Sequence, residues 1–163
     1  MLDNIRAHSL QVTRVAVVLA RGLGLDENFV TAGALLHDVA KTKCLNGACN
    51  HAEEGGLICM KHGFSEIAPI VHEHVILVNY HRPLSPLELV YYADKRVRHD
   101  EIVSLSERQV YIEERYGQGK QEIIEAIRLN FGKCYGMETR IFASLDLRPE
   151  AVASEVARSV FPF

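Results

Sequence analysis

Apolar residues recur at helical spacing along nearly the whole chain. Over residues 3–21, Ile5, His8, Val12, Val15, Ala16 and Leu19 share one face, while Arg6, Arg14 and Arg21 fall mostly off it. This predicts an amphipathic helix with a histidine inside its apolar stripe, ended by the glycines at 22 and 24. Asp26 is a suitable N-cap for a second helix over residues 27–42, and Gly33 among alanines would let another helix approach closely. Within it the segment TAGALLHDVAK, residues 31–41, is almost wholly apolar until His37 and Asp38 stand side by side. Lys41 lies one turn beyond His37 on the same face.

The pattern continues in the same way. Asn50, with Glu53 following, marks a third helix that carries His51 in its first turn and ends near Gly63. Ser65 is the expected cap of a fourth, on which Ile67, Ile70, Val71 and His74 share a face and His72 is displaced from it. Residues 77–83 read as a connection. Ser85, Pro86 and Glu88 form a strong helix start, after which Leu87, Val90, Tyr91, Asp94 and Val97 make an inward stripe containing a carboxylate. By the same logic Ser106 with Gln109 predicts another start, with Gly117 and Gly119 as the break. Residues 121–131 form a further amphipathic helix, Pro149 opens a last one, and residues 161–163 are a short tail. No stretch shows the alternation of a half-buried strand, and no internal repeat or linker is present. The expectation is an all-α, single-domain helical bundle over residues 1–163.

Composition narrows this only a little. A formal charge of −3 gives no reason to expect nucleic-acid binding. No apolar run is long enough for a membrane span, and the short stretch 15–20 between Arg14 and Arg21 is no export signal. The cytoplasm is therefore the expected location, with Cys44, Cys49, Cys59 and Cys134 as reduced thiols. Cys44, Cys49 and His51 are close in sequence but lack the fourth ligand that structural zinc requires, so free cysteines are expected there.

The histidines change the picture. Separate helices place His8, His37 with Asp38, His74 and Asp94 on inward faces, and His51 at a helix start. A buried carboxylate needs a partner. One shared metal site explains these positions better than unrelated coincidences do. Imidazoles and carboxylates suit Fe, Mn, Zn, Co or Ni. Asp38, as the catalytic carboxylate, could bridge two ions through its two oxygens, and a water activated there would be the nucleophile.

The order His8, His37-Asp38, Asp94, with LLHDVAK and YYADK around two of its members, resembles the HD-domain superfamily of metal-dependent phosphohydrolases, from about residue 8 to residue 98. The nearer similarity is to bacterial HD hydrolases of symmetric dinucleoside polyphosphates. These carry two further histidines, matched by His51 in HAEEGG and by His72 or His74 in IVHEHV; the stripe favours His74. The resemblance implies an HD-type bundle with a metal-site core at about residues 5–100 and a helical extension at about residues 104–163, where substrate choice could reside. It implies two divalent ions, iron first, with Mn, Zn, Ni, Co or Mg as alternatives. It also implies that Lys41 and Arg98 bind substrate phosphate. The expected partner is a small phosphate or nucleotide substrate, with no membrane or nucleic-acid partner and with a homodimer left open. The competing expectations are a non-catalytic, metal-bearing nucleotide-sensing module and an oxygen-dependent di-iron centre.

Overall fold

A computed structural model describes residues 1–78, 80, 83–161 and 163. Asn79, His81 and Arg82 of the expected 77–83 connection, and Pro162 of the tail, lie outside the described residues. The fold is all-helical apart from one minute hairpin. Helix α1, Asp3–Leu23, is closed by Gly24 in the left-handed region at φ 67°, whose N–H and that of Leu25 return to the carbonyls of Arg21 and Ala20. Gly22 lies inside the helix, where an added Cβ would meet the end of Leu145.

Helix α2, Glu27–Leu36, starts on the Asp26 carboxylate, which accepts from the N–H groups of Asn28 and Phe29. It stops well short of the expected residue 42. The His37 ring donates through Nδ1 to the Ala34 carbonyl at 2.7 Å, the acceptor that a continuing helix would offer to Asp38. The chain goes on instead as tight turns, Val39 bonding to Leu36 and Lys41 to Asp38.

Helices α3, His51–Lys61, and α4, Ala68–Glu73, form a hairpin against α2. Asn50 caps α3 by accepting from Ala52. Close approach explains two glycines: a Cβ at Gly33 would stand 2.8 Å from Ile70 Cδ1, and one at Gly55 2.7 Å from Val71 Cγ1. Ser65 does not cap α4. The turn before the helix is closed by the N–H groups of Ile67 and Ala68 on the Phe64 carbonyl.

Helix α5, Pro86–Lys95, carries the expected Ser85–Glu88 capping box. It is the central helix, buried on every side from Glu88 to Lys95 rather than along one stripe. Two-residue strands β1, Val97–Arg98, and β2, Glu101–Ile102, pair antiparallel after it. Strands this short leave no alternation to read in a sequence. Helix α6, Leu105–Tyr116, begins on Ser104 rather than Ser106, because Glu107 reaches back to both the N–H and the hydroxyl of Ser104 while Leu105 is buried. Helix α7 runs on to Phe142, Gln121–Phe142, with Phe131, Cys134, Met137 and Ile141 buried along it. A 3-10 turn, Pro149–Ala151, leads into α8, Val152–Arg158.

The core is built where α1 and α5 cross, from Val12, Val15, Leu19, Leu89, Val90 and Tyr92, and is closed by α7 and α8. Tyr91 and Tyr92 keep their hydroxyls satisfied by Asn130 and Glu138 of α7. Arg96 is buried, bonding the carbonyls of Val103 and Pro149, and is structural. Among the described residues no helix is long and apolar enough to cross a membrane.

The α6 cap separates two overlapping sequence signals. Ser104→Ala should cost about 1 kcal/mol in urea unfolding, whereas Ser106→Ala should leave stability nearly unchanged. The reverse order would contradict the capping box seen here.

Candidate metal centre

Four helices and one helix start deliver polar side chains to one buried point beside α5. His8 comes from α1, His37 and Asp38 from the end of α2, His51 from the start of α3, His74 from the end of α4 and Asp94 from α5. All but His51 are buried. The rings of His8 and His37 lie 5.4 Å apart, those of His37 and His74 5.0 Å, and those of His51 and His74 5.2 Å.

Backbone hydrogen bonds fix the orientation of these rings. His8 Nδ1 donates to the His99 carbonyl at 2.8 Å, His37 Nδ1 to Ala34, and His74 Nδ1 to the Val71 carbonyl at 2.6 Å. With Nδ1 so occupied, each ring turns Nε2 inward. Those nitrogens face carboxylates. His8 Nε2 is 3.0 Å from Asp94 Oδ1, His37 Nε2 is 3.7 Å from the same oxygen and 3.6 Å from Asp38 Oδ2, and His74 Nε2 is 3.4 Å from Asp38 Oδ1. His51 Nε2 is 3.3 Å from Asp38 Oδ1. Among the described residues, His37 Nε2, His51 Nε2 and Asp38 Oδ1 are buried without a hydrogen-bond partner.

Electrostatics sharpens the mismatch. Burial pushes His37 down to about 4, although Asp38 and Asp94 pull the other way. Burial also works against the Asp38 anion, but His37, His51, His74 and Lys41 outweigh it and hold the carboxyl well below the usual range. Asp94 is lowered likewise, with Lys95 and His8 overcoming its burial. The centre thus gathers anionic carboxylate oxygens and imidazole Nε2 atoms at one buried point, an arrangement that a cation completes. Two groups have the spacing for metal ligation: His8, His37 and Asp94, and His37, Asp38 and His74, each with ligand atoms within 4.8 Å of one another. His37 belongs to both, while Asp38 turns Oδ1 to His51 and His74 and Oδ2 to His37 and Lys41. The orphaned atoms and the donor set fit divalent metal.

Lys41 stands at the edge of this centre, with Nζ 3.2 Å from Asp38 Oδ2 and its side chain 38% exposed. Arg98 is placed elsewhere. It pairs with Glu101 across the β hairpin at 2.9 Å and does not line the cavity beside the centre. His72 points to solvent. Lys95 escaped the sequence reading. Its buried ammonium donates to Asp94 Oδ2 and to the His74 carbonyl, both at 2.8 Å, so it orients one ligand and ties α5 to the end of α4. The signal was a lysine directly after Asp94 in an apolar row.

The expectation of four free thiols fails at one place. Cys44 and Cys49 form a disulfide, because the turn through Asn46 (φ 62°) and Gly47 (φ 76°) brings their Cα atoms to 4.8 Å. This also removes both sulfurs as zinc ligands. Cys59 and Cys134 are free and buried, and burial pushes the Cys134 thiol up to about 12.

A cavity of about 640 Å³ opens from the centre. His51, His74, Asp94, Lys41 and Lys95 lie on one side, and α6 and α7 form the other. A helical bundle with buried His and Asp side chains spaced for divalent metal defines the class of site. The HD domain family matches residues 5–158, and the chain belongs to that family. Members of the family bind divalent metals and are generally hydrolases. Over 74 residues the chain is 35% identical to a tRNA (cytidine(56)-2'-O)-methyltransferase of Thermoplasma volcanium, covering 45% of this chain and 21% of that protein. It is 34% identical over 64 residues to a ribonuclease Y of Pseudothermotoga lettingae, covering 39% and 13%. A ribonuclease Y of Sulfurovum sp. aligns with 97% of this chain and 32% of its own length at 24% identity. The chain thus spans a third or less of the curated relatives it matches. No solved structure matches it.

Two outcomes follow from the centre. In metal analysis, His51→Ala or His74→Ala should lower the bound metal relative to the wild type, while His72→Ala should leave it unchanged; loss in the His72 variant alone would overturn this ligand set. The second concerns pH in chelator-treated protein. The unfolded chain takes up a proton at His37 near 6.5, and the folded chain resists it to about 4. Stability is therefore present above 6.5 and is lost as pH falls towards 4, by about 3 kcal/mol. Asp38 and Asp94, both lowered, add loss in the same direction at still lower pH. A flat unfolding profile across the His37 window would contradict this assignment.

Proposed function

We propose that this chain is a metal-dependent phosphohydrolase that cleaves a nucleotide or related phosphate ester or anhydride with a metal-activated water. The observation that carries this reading is the set of orphaned atoms, His37 Nε2, His51 Nε2 and Asp38 Oδ1, buried at the end of an accessible cavity. When bound there, divalent ions would polarise a phosphoryl oxygen and acidify a water. His8, His37, His51, His74, Asp38 and Asp94 would hold them. The chain's other groups do the remaining work. Lys95 and the carbonyls of Ala34, Val71 and His99 fix the orientation of the ligands. Lys41, the exposed cation next to Asp38, offsets the charge that develops on the phosphoryl oxygens.

The proposed division of labour gives the metal to residues at about 5–100 and the far wall of the cavity to those at about 104–163. The relatives reported above bear the names of RNA-acting enzymes, and none bears that of a dinucleoside polyphosphate hydrolase. A short RNA phosphodiester therefore belongs in the substrate panel alongside symmetric dinucleoside polyphosphates and nucleoside mono- and diphosphates.

The test is hydrolysis of that panel, with p-nitrophenyl and bis-p-nitrophenyl phosphate, by protein loaded with Fe, Mn, Zn, Ni, Co or Mg. Turnover should disappear in Asp38→Ala together with the metal. Lys41→Ala should retain metal and raise KM about tenfold, the scale of one charge-assisted contact. Metal retention without turnover on any substrate would overturn the hydrolase reading in favour of a nucleotide-sensing module.

A further inference from the structure

The cavity carries more positive charge than the metal centre accounts for. Among its lining residues Lys41, Lys95, Arg108 and Arg115 are cations, and Asp94 is the sole carboxylate. Lys95 is spent on Asp94, and Lys41 faces Asp38. Among the described residues the arginines of α6 that line the cavity have no such partner. Among the described residues Arg108 makes no ion pair, its Nε is buried without a hydrogen-bond partner, and its guanidinium rests 5.4 Å from the Tyr111 ring centroid. Arg115 follows about two turns along the same helix, with its guanidinium 5.9 Å from the Tyr116 ring centroid. Other arginines of the chain behave differently: Arg96, Arg98 and Arg128 all meet a carboxylate. A guanidinium held at a cavity wall with a buried donor unspent is suited to an anion that enters the cavity, and its planar fork matches phosphate. The cavity is also lined by Ile112, Ile123, Ile127 and Phe131, an apolar surface that fits a base or sugar face better than a third charge.

We propose that Arg108, with Arg115 beside it, binds a second phosphoryl group of the substrate, so that the site selects phosphate compounds bearing two phosphoryl groups over monophosphates. This rests on the phosphohydrolase reading in placing the scissile group at the metal centre and Lys41. Arg108 is then the specificity-determining residue, and the second phosphoryl group is the one that stays bound while the first is cleaved.

The experiment compares equilibrium binding of adenosine 5'-monophosphate with that of adenosine 5'-diphosphate, adenosine 3',5'-bisphosphate and the dinucleotide pApA. It uses calorimetry on the metal-loaded protein in the cold, with ligand integrity checked afterwards. The wild type should bind at least one of the two-phosphoryl probes about tenfold or more tightly than the monophosphate. Which probe gains tells whether the second group is an anhydride, a 3'-ester or a backbone phosphodiester. Arg108→Gln should bring that ratio close to one while leaving monophosphate binding and metal content as they were, and Arg108→Lys should restore part of it. An equal affinity for all four compounds in the wild type, or a preference that survives Arg108→Gln, overturns the proposal. If the preference holds and disappears with Arg108 yet no compound is hydrolysed, the hydrolase reading fails and the two-phosphoryl site stands.

Discussion

The structure depends on one electrostatic problem, two carboxylates taken out of water among clustered imidazoles. Asp38 and Asp94 are nearly buried, and burial alone would drive them towards the protonated form. His37, His51, His74 and Lys41 outweigh that burial at Asp38, and Lys95 and His8 outweigh it at Asp94. Three of the rings spend their Nδ1–H on backbone carbonyls and turn Nε2 to the carboxylates. Among the described residues His37 Nε2, His51 Nε2 and Asp38 Oδ1 find no hydrogen-bond partner, an arrangement suited to a divalent cation.

The rest of the fold serves that arrangement. Helix α1 brings His8 to α5, and the α3–α4 hairpin packs on α2 closely enough, over Gly33 and Gly55, to bring His51 and His74 to Asp38. The early end of α2 belongs to the same economy of bonds. The Ala34 carbonyl that would extend the helix orients the His37 ring instead. The turns that follow place Lys41 beside Asp38 and lead through the Cys44–Cys49 loop to the cap of α3. The buried Lys95 joins two of these parts, since one ammonium holds both Asp94 and the carbonyl of His74.

Against this rigid centre, α6 and α7 present a wall of different character. It carries Ile112, Ile123, Ile127 and Phe131 together with Arg108 and Arg115, for which no ion pair is found among the described residues.

The sequence by itself determined the all-helical class, the caps at Asp26, Asn50 and Ser85, and the inward faces carrying His8, His74 and Asp94. These follow from periodicity and local hydrogen bonding, which act over one or two turns of chain. It could also separate His74 from His72, because a ring displaced from the apolar stripe faces solvent. What it could not decide were competitions between near-equal local options and contacts between distant segments. Ser104 and Ser106 both offer a cap, and the burial of Leu105 selects the first. The end of α2 turns on a ring-to-carbonyl bond that no propensity encodes. The Cys44–Cys49 bond needs the loop geometry at Asn46 and Gly47. Arg98 sits one turn past Asp94 in sequence, yet the chain leaves the helix at Arg96, and the hairpin carries Arg98 to Glu101 instead. Arg108 lines the cavity because α6 packs on α7, whose Ile123, Ile127 and Phe131 line it too. Charge placement of that kind is a property of tertiary packing, since it depends on which distant wall a side chain meets.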